Sequence, residues 1–247
     1  MVAKILDGKQ LSEKQAKLLE NRVTALKKQE VMPHLAIILV GDNPASNVYV
    51  NNKINYCANV GVKTTLVKLS AKSSKTTLEN YIRKLNQDDS VHGIILQLPL
   101  PGKLSADRFV SLINPEKDVD GLHPLNIGLL AIGHGVFIPA TAKGVLALLE
   151  EHKISVSGKT VVIVGHGLVA GLPLNLILAK EKATLIVCQD KTSNLGQYTK
   201  MADVLISAVG KPNLITPNMV NKGVVVIDVG ITKQQGGFVG VVSAEVK

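Results

Sequence analysis

Six short apolar runs, rich in branched residues and closed by turn residues, recur along this chain. They read HLAIILV (34–40), VHGIILQLPLP (91–101), SGKTVVIVG (157–165), ATLIVCQD (183–190), ADVLISAVG (202–210) and GVVVIDVG (223–230). Runs this apolar fit strands buried on both faces, which occurs when helices cover both sides of a parallel sheet. Between them lie stretches with helical spacing, so the chain reads as successive βαβ units. The expected fold class is therefore α/β, with two α/β lobes and mainly parallel sheets.

The first series opens with KQLSEKQAKLLENRVTALKKQ, where Leu11, Leu18, Leu19, Val23 and Leu26 recur at helical spacing. After the first strand, GDNPAS marks a turn, and a helix is expected from about Ala45 to Asn59 with Gly61 as its stop. A strand over 62–69 and a polar helix around 75–87 follow. The segment INPEKDVDGLHPLNIG (113–128) is expected to be a loop, because Pro, Asp, Asn and Gly dominate it. A helix near TAKGVLALLEEHK then leads into the second series. The predicted domains are 1–138 and 139–247, the second a Rossmann-like dinucleotide-binding lobe.

Composition narrows the partners. Tryptophan is absent and aromatics make up 3% of residues, which leaves little to stack single-stranded nucleic acid upon. The formal charge of +9 comes from dispersed lysines rather than a basic arm. It reads as a solvated surface, or as an attraction for anionic small molecules. Cys57 and Cys188 stand far apart without CxxC or Cys/His spacing, so neither a disulfide nor a metal site is expected, and both read as buried free thiols. No signal-peptide core or membrane-length apolar run is present, which predicts a soluble cytoplasmic protein with neither nucleic-acid nor membrane partners.

The motif Gly165-x-Gly167-x-x-x-Gly171 sits between an apolar run and a helix-patterned stretch, and the next apolar run ends at Asp190. Small residues in such a turn let the backbone approach a pyrophosphate, while the helix N-terminus favours its negative charge. A carboxylate after the second strand can accept from ribose hydroxyls. Taken alone, the same residues also read as a tight strand–helix connection with Asp190 capping a helix. Gly210 with Pro212, and Gly230, end later strands on the rim where a nicotinamide would lie.

In the first series Tyr49 and Lys53 lie one helical turn apart. Alone, such a pair more often marks a surface tyrosine and a solvated lysine. Gln97 ends a strand beside prolines, and Asp118 and Asp120 share the KDVDG turn. An amine, an amide and a carboxylate from three segments can meet at one cleft; turn fixation is the other reading of Gln97 and Asp118.

Together, VGDNPASNVYVNNKINYCANVGV, GIILQLPLP, INPEKDVDGLHPLNIG, GKTVVIVGHGLVAGLP, ATLIVCQDKT, ADVLISAVGKP and VVVIDVGI resemble the bifunctional methylenetetrahydrofolate dehydrogenase/methenyltetrahydrofolate cyclohydrolase family, in order and over nearly the whole chain. The resemblance implies oxidation of methylene-tetrahydrofolate by NAD or NADP, followed by hydrolysis of the methenyl product to formyl-tetrahydrofolate. It makes Lys53 the central catalytic group, packs Tyr49 against the folate, has Gln97 position Lys53 and has Asp120 hydrogen-bond the pterin edge. It assigns the cofactor to Gly165, His166, Gly167, Gly171, Asp190, Gly210, Thr141 and Ile231, and implies a homodimer. A lysine so placed can move protons during hydration and ring opening.

The departures from the family gather in the nucleotide lobe. Gly165-His166-Gly167 stands where the family turn reads Gly-Arg-Ser, Cys188-Gln189-Asp190 where it reads Cys-His-Ser, and Pro139-Ala140-Thr141-Ala142 where it reads Pro-Cys-Thr-Pro. The missing arginine and the added carboxylate disfavour a 2′-phosphate, so NAD is expected over NADP; a repulsion of about 1.4 kcal/mol shifts such a preference tenfold. The sequence also stops at FVGVVSAEVK, short of the family's Pro-Val-Pro-Gly-Gly loop and return helix. A homologue with cyclohydrolase activity alone and a non-catalytic folate-binding protein are the alternatives.

Overall fold

The computed structural model describes residues 3–135, 137–234 and 237–246. Two compact units account for them: Gly8–Asn126, and Ile127–Lys247 together with the segment before Gly8.

The unit Gly8–Asn126 is built on a three-stranded parallel sheet of order β2-β1-β3: β1 (His34–Val40), β2 (Lys63–Leu69) and β3 (Gly93–Leu96). The central position of β1 follows from its composition. Ala36, Ile37 and Ile38 are fully buried, and each isoleucine so removed from water contributes about 1.5–3 kcal/mol. Helix α1 (Gly8–Lys27) buries Leu11 and Val23, whereas Leu18 and Leu26 of the expected apolar face are exposed. Helix α2 (Pro44–Asn59) connects β1 to β2, and α3 (Lys75–Gln87) connects β2 to β3. A short α4 (Ala106–Val110) follows, with Ser105 capping its first turn.

The loop expected over 113–128 ends earlier than its composition implies. The segment 113–128 is not wholly loop, because α5 (Pro124–Ala131) starts inside it. Proline at the first helical position is compatible with a helix start, since its missing N–H would have no intrahelical partner there.

The other unit contains α6 (Ala140–Glu151) and a four-stranded parallel sheet of order β5-β4-β6-β7. Its strands are β4 (Thr160–Val164), β5 (Thr184–Cys188), β6 (Val204–Ser207) and β7 (Val225–Asp228). Helix α7 (Gly171–Lys180) joins β4 to β5, and α8 (Leu195–Thr199) precedes β6. Alternate strand residues feed two cores. Val161, Ile163 and Ile206 pack with α6 and α7 on one face, while Val162, Val164 and Leu205 pack with Ile215 and Val241 on the other. The sequence reading does not anticipate the final hairpin of β8 (Ile231–Gln234) and β9 (Gly237–Gly240).

Cys188 is buried, but Cys57 on α2 is only half-buried, a correction to the reading of two buried thiols. No helix among the described residues is long and apolar enough to cross a membrane.

Candidate active site

The turn after β1 places α2. Gly41 adopts a positive φ of 86° and donates its N–H to the Leu69 carbonyl at 2.8 Å. Asn43 then caps α2, its Oδ1 accepting from the N–H groups of Ala45 and Ser46 at 3.0 and 3.1 Å. Pro44 opens the helix, so this capping signature fixes the helix start in sequence terms. Val50 and Ile54 anchor the helix on Ile37, Leu39 and Ile95 of the sheet. Tyr49 and Lys53 immediately precede these two anchors and share their rigid support.

Gln97 continues β3 by one residue, its N–H donating to the Ile38 carbonyl at 2.9 Å. Its amide nitrogen donates to the Leu98 carbonyl at 2.8 Å, leaving Oε1 to accept from Lys53 Nζ at 3.1 Å. Two residues 44 apart in sequence thus meet at the carboxyl end of the sheet. Both are half-buried, while Tyr49, a turn earlier, is 38% exposed. Its ring offers an accessible flat surface beside the lysine.

Asp120 completes the group. Burial pushes its carboxyl above the usual aspartate range; nearby Lys53 opposes that rise and Asp118 reinforces it. Asp118 itself is fully buried and accepts at Oδ2 from the His123 N–H and the Asn126 side-chain amide, at 2.7 and 2.8 Å. It fixes the turn, the alternative the sequence left open for it. His123 and Asn126 escape the sequence reading; the only signal was the density of polar residues around KDVDG.

The turn after β4 lies where strand order reverses, with β5 on one side of β4 and β6 on the other. Ligands of open α/β sheets bind at the carboxyl ends of strands at such a point. Gly165 has φ +107°, and a Cβ there would meet the Ala208 carbonyl oxygen at 2.6 Å. A Cβ on Gly171, the first residue of α7, would run into the Gly165 carbonyl oxygen. Gly167 has no atom within 4 Å of its added Cβ, and Ala170 makes no side-chain cap on α7. This is a tight glycine turn opening on free space at Gly167; at the start of α7 the Leu172 N–H is taken by the Gly167 carbonyl at 3.0 Å and Pro173 has no N–H, which leaves the Gly171 N–H to face a ligand. Its geometry fits a pyrophosphate.

His166 is exposed within the turn. Gly210 follows β6, and its carbonyl accepts from Thr232 Oγ1 at 2.8 Å, which joins it to β8 directly after Ile231. Asp190 lies two residues beyond β5, and the Gly165 N–H donates to the Cys188 carbonyl at 2.8 Å. The Asp190 carboxylate is 82% exposed, with Lys191 Nζ 3.9 Å away. Thr141 sits half-buried in the first turn of α6, beside the fully buried Ala142. Among the described residues no hydrogen bond links it to the glycine turn.

Residues 6–120 match the catalytic domain of the tetrahydrofolate dehydrogenase/cyclohydrolase family, and residues 139–247 match its NAD(P)-binding domain. The chain belongs to that family. The bifunctional protein FolD of Halalkalibacterium halodurans is 43% identical over 245 residues, covering 99% of this chain and 88% of that protein. The crystal structure of the bifunctional FolD dehydrogenase/cyclohydrolase from Campylobacter jejuni is 42% identical with a TM-score of 0.95, covering 98% of this chain and 87% of that one. The Trypanosoma brucei FolD structure, complexed with NADP and inhibitor, is 33% identical with a TM-score of 0.94, covering 99% and 86% of the two chains. Within the family frame, Lys53 and Gln97 fall in the catalytic domain and the glycine turn falls in the NAD(P)-binding domain.

Proposed function

We propose that this member of the folate dehydrogenase/cyclohydrolase family oxidises methylene-tetrahydrofolate with NAD in preference to NADP, then hydrolyses the methenyl product at the site of Lys53. The hydrogen bond from Lys53 to Gln97 carries the assignment of that site, since it unites two of the four residues implied by the family resemblance. The folate chemistry is assigned to residues 1–138 and dinucleotide binding to residues 139–247.

Tyr49 supplies a face for the folate ring, and Gln97 holds Lys53 in place. A nicotinamide dinucleotide held at the Gly165–Gly171 turn would supply the acceptor for the hydride of the methylene carbon. The carbon is left as a methenyl cation. Water adds to it, losing one proton; the adduct opens when a ring nitrogen gains a proton, the C–N bond breaks and the new hydroxyl gives up its proton to become the formyl oxygen. Lys53 Nζ is the group placed to carry those protons. Asp120, whose burial favours its protonated form, hydrogen-bonds the nitrogen edge of the pterin.

NAD is favoured by two residues. Asp190 offers an exposed carboxylate to ribose hydroxyls after β5, and His166 stands where the family resemblance places an arginine. Lys191 offsets part of the repulsion toward a 2′-phosphate, which limits the expected preference to about tenfold. The resemblance also supports a homodimer in the cytoplasm. The test is the initial rate with methylene-tetrahydrofolate and either dinucleotide. A kcat/KM higher for NAD than NADP supports the proposal, and the reverse order refutes the cofactor assignment.

A further inference from the structure

The carboxylate of Asp118 is buried to 1% exposure in a segment otherwise built from turns. Burying a carboxylate is costly unless strong hydrogen bonds compensate it, and here one oxygen takes two. The Asn126 amide that donates to it also donates to the Pro115 carbonyl at 3.0 Å, and Asn126 is itself buried. The Asp118 backbone is held as well. Its N–H donates to the Asn114 carbonyl at 3.0 Å, and it forms an isolated parallel bridge with Ile94 of β3.

These bonds have a common consequence. Asp118 joins β3, which leads to Gln97, with the start of α5, to which Asn126 belongs. Asp120 lies between those two attachments. The intervening segment is short: the Gly121 N–H donates back to the Asp118 carbonyl at 3.1 Å, with Gly121 at a positive φ of 69°. The His123 N–H then returns to the Asp118 side chain. One oxygen atom therefore closes the loop that carries Asp120.

We infer that Asp118 is a positioning residue, whose side chain holds Asp120 at the place where it meets the folate. The inference rests on the proposed contact between Asp120 and the folate. Asp118 touches no reacting atom and acts through Asp120, so its effect must vanish once Asp120 no longer functions.

A double-mutant cycle on the full chain tests this, using Asp118→Ala, Asp120→Asn and the pair, with KM measured for methylene-tetrahydrofolate and for NAD. The expected result for Asp118→Ala is a folate KM raised roughly tenfold and a dinucleotide KM changed by less than about twofold. Asp118→Asn, whose amide oxygen can accept the same two bonds, should recover most of the loss. In the Asp120→Asn background, Asp118→Ala should add almost nothing. The same multiplicative loss in both backgrounds, or an equal rise in both KM values, overturns the positioning role. An Asp120→Asn single variant with unchanged kinetics instead defeats the Asp120 assignment on which the inference rests. Should Asp118→Ala fail to fold, Asn126→Leu, which removes one donor to the same oxygen, replaces it in the cycle with the same expected coupling.

Discussion

Lys53 Nζ donates to Gln97 Oε1 at 3.1 Å, and the same Gln97 amide is locked from behind by the Leu98 carbonyl at 2.8 Å. The acceptor cannot rotate away from the lysine without losing its own donor bond. Gln97→Leu removes both interactions while preserving approximate volume. The expected outcome is a folded protein whose cyclohydrolase kcat falls about 10- to 100-fold. Circular dichroism and the decay of methenyl-tetrahydrofolate absorbance check the two halves of that prediction.

Asp120 gives a pH-dependent stability with a definite sign. Its folded-state carboxyl titrates above the ordinary aspartate value of 3.8, chiefly because of burial. The folded chain therefore binds this proton more tightly than the unfolded chain. The associated stability is present below the unfolded pKa and is lost as pH rises through the folded one. Asp120→Asn removes this contribution, so wild type should lose stability relative to the variant as pH rises from about 4 to about 7. Urea midpoints at both pH values measure the difference.

The fold was largely legible where burial dominates. β1 spans His34–Val40, the same bounds as its apolar run, because a strand buried on both faces tolerates no polar interruption. The start of α2 was readable from Asn43 and Pro44, whose cap chemistry is local. α5 was not readable. Its Pro124, Asn126 and Gly128 look like loop residues, yet Asn126 is held by the buried Asp118. The five residues of α4 are too few to show periodicity.

The candidate site was legible in part for the same reason. The spacing of Tyr49 and Lys53 follows from one helix, but the 44-residue reach from Lys53 to Gln97 is tertiary; the residues alone offer it beside a turn-fixing reading of Gln97, and the family resemblance selects it. The clamp on Asp118 depends on a backbone N–H at His123, which carries no side-chain signature.

The glycine turn yields a contrast between neighbours. Gly165→Ala places a side chain at φ +107° against the Ala208 carbonyl and should cost about 1–3 kcal/mol, together with dinucleotide affinity. Gly167→Ala enters open space and should change stability by less than about 0.5 kcal/mol. Its methyl group should nevertheless weaken NAD binding, because it occupies the space proposed for the pyrophosphate. Denaturation curves and dinucleotide titrations separate the two effects.

Cofactor choice should be transferable. His166→Arg combined with Asp190→Ser restores a positive charge in the turn and removes the exposed carboxylate after β5. The NADP:NAD ratio of kcat/KM should rise by about tenfold or more. The gain should shrink with added salt, since both positions face solvent.

The most direct measurement compares wild type with Lys53→Met in the decay of methenyl-tetrahydrofolate. Methionine preserves much of the side chain's length but cannot donate to Gln97 or carry a proton. Wild type should accelerate the decay well above the uncatalysed rate, and the variant should retain less than about 1% of that acceleration. A Lys53→Met protein that hydrolyses the methenyl compound at the wild-type rate would contradict the placement of the chemistry at this lysine.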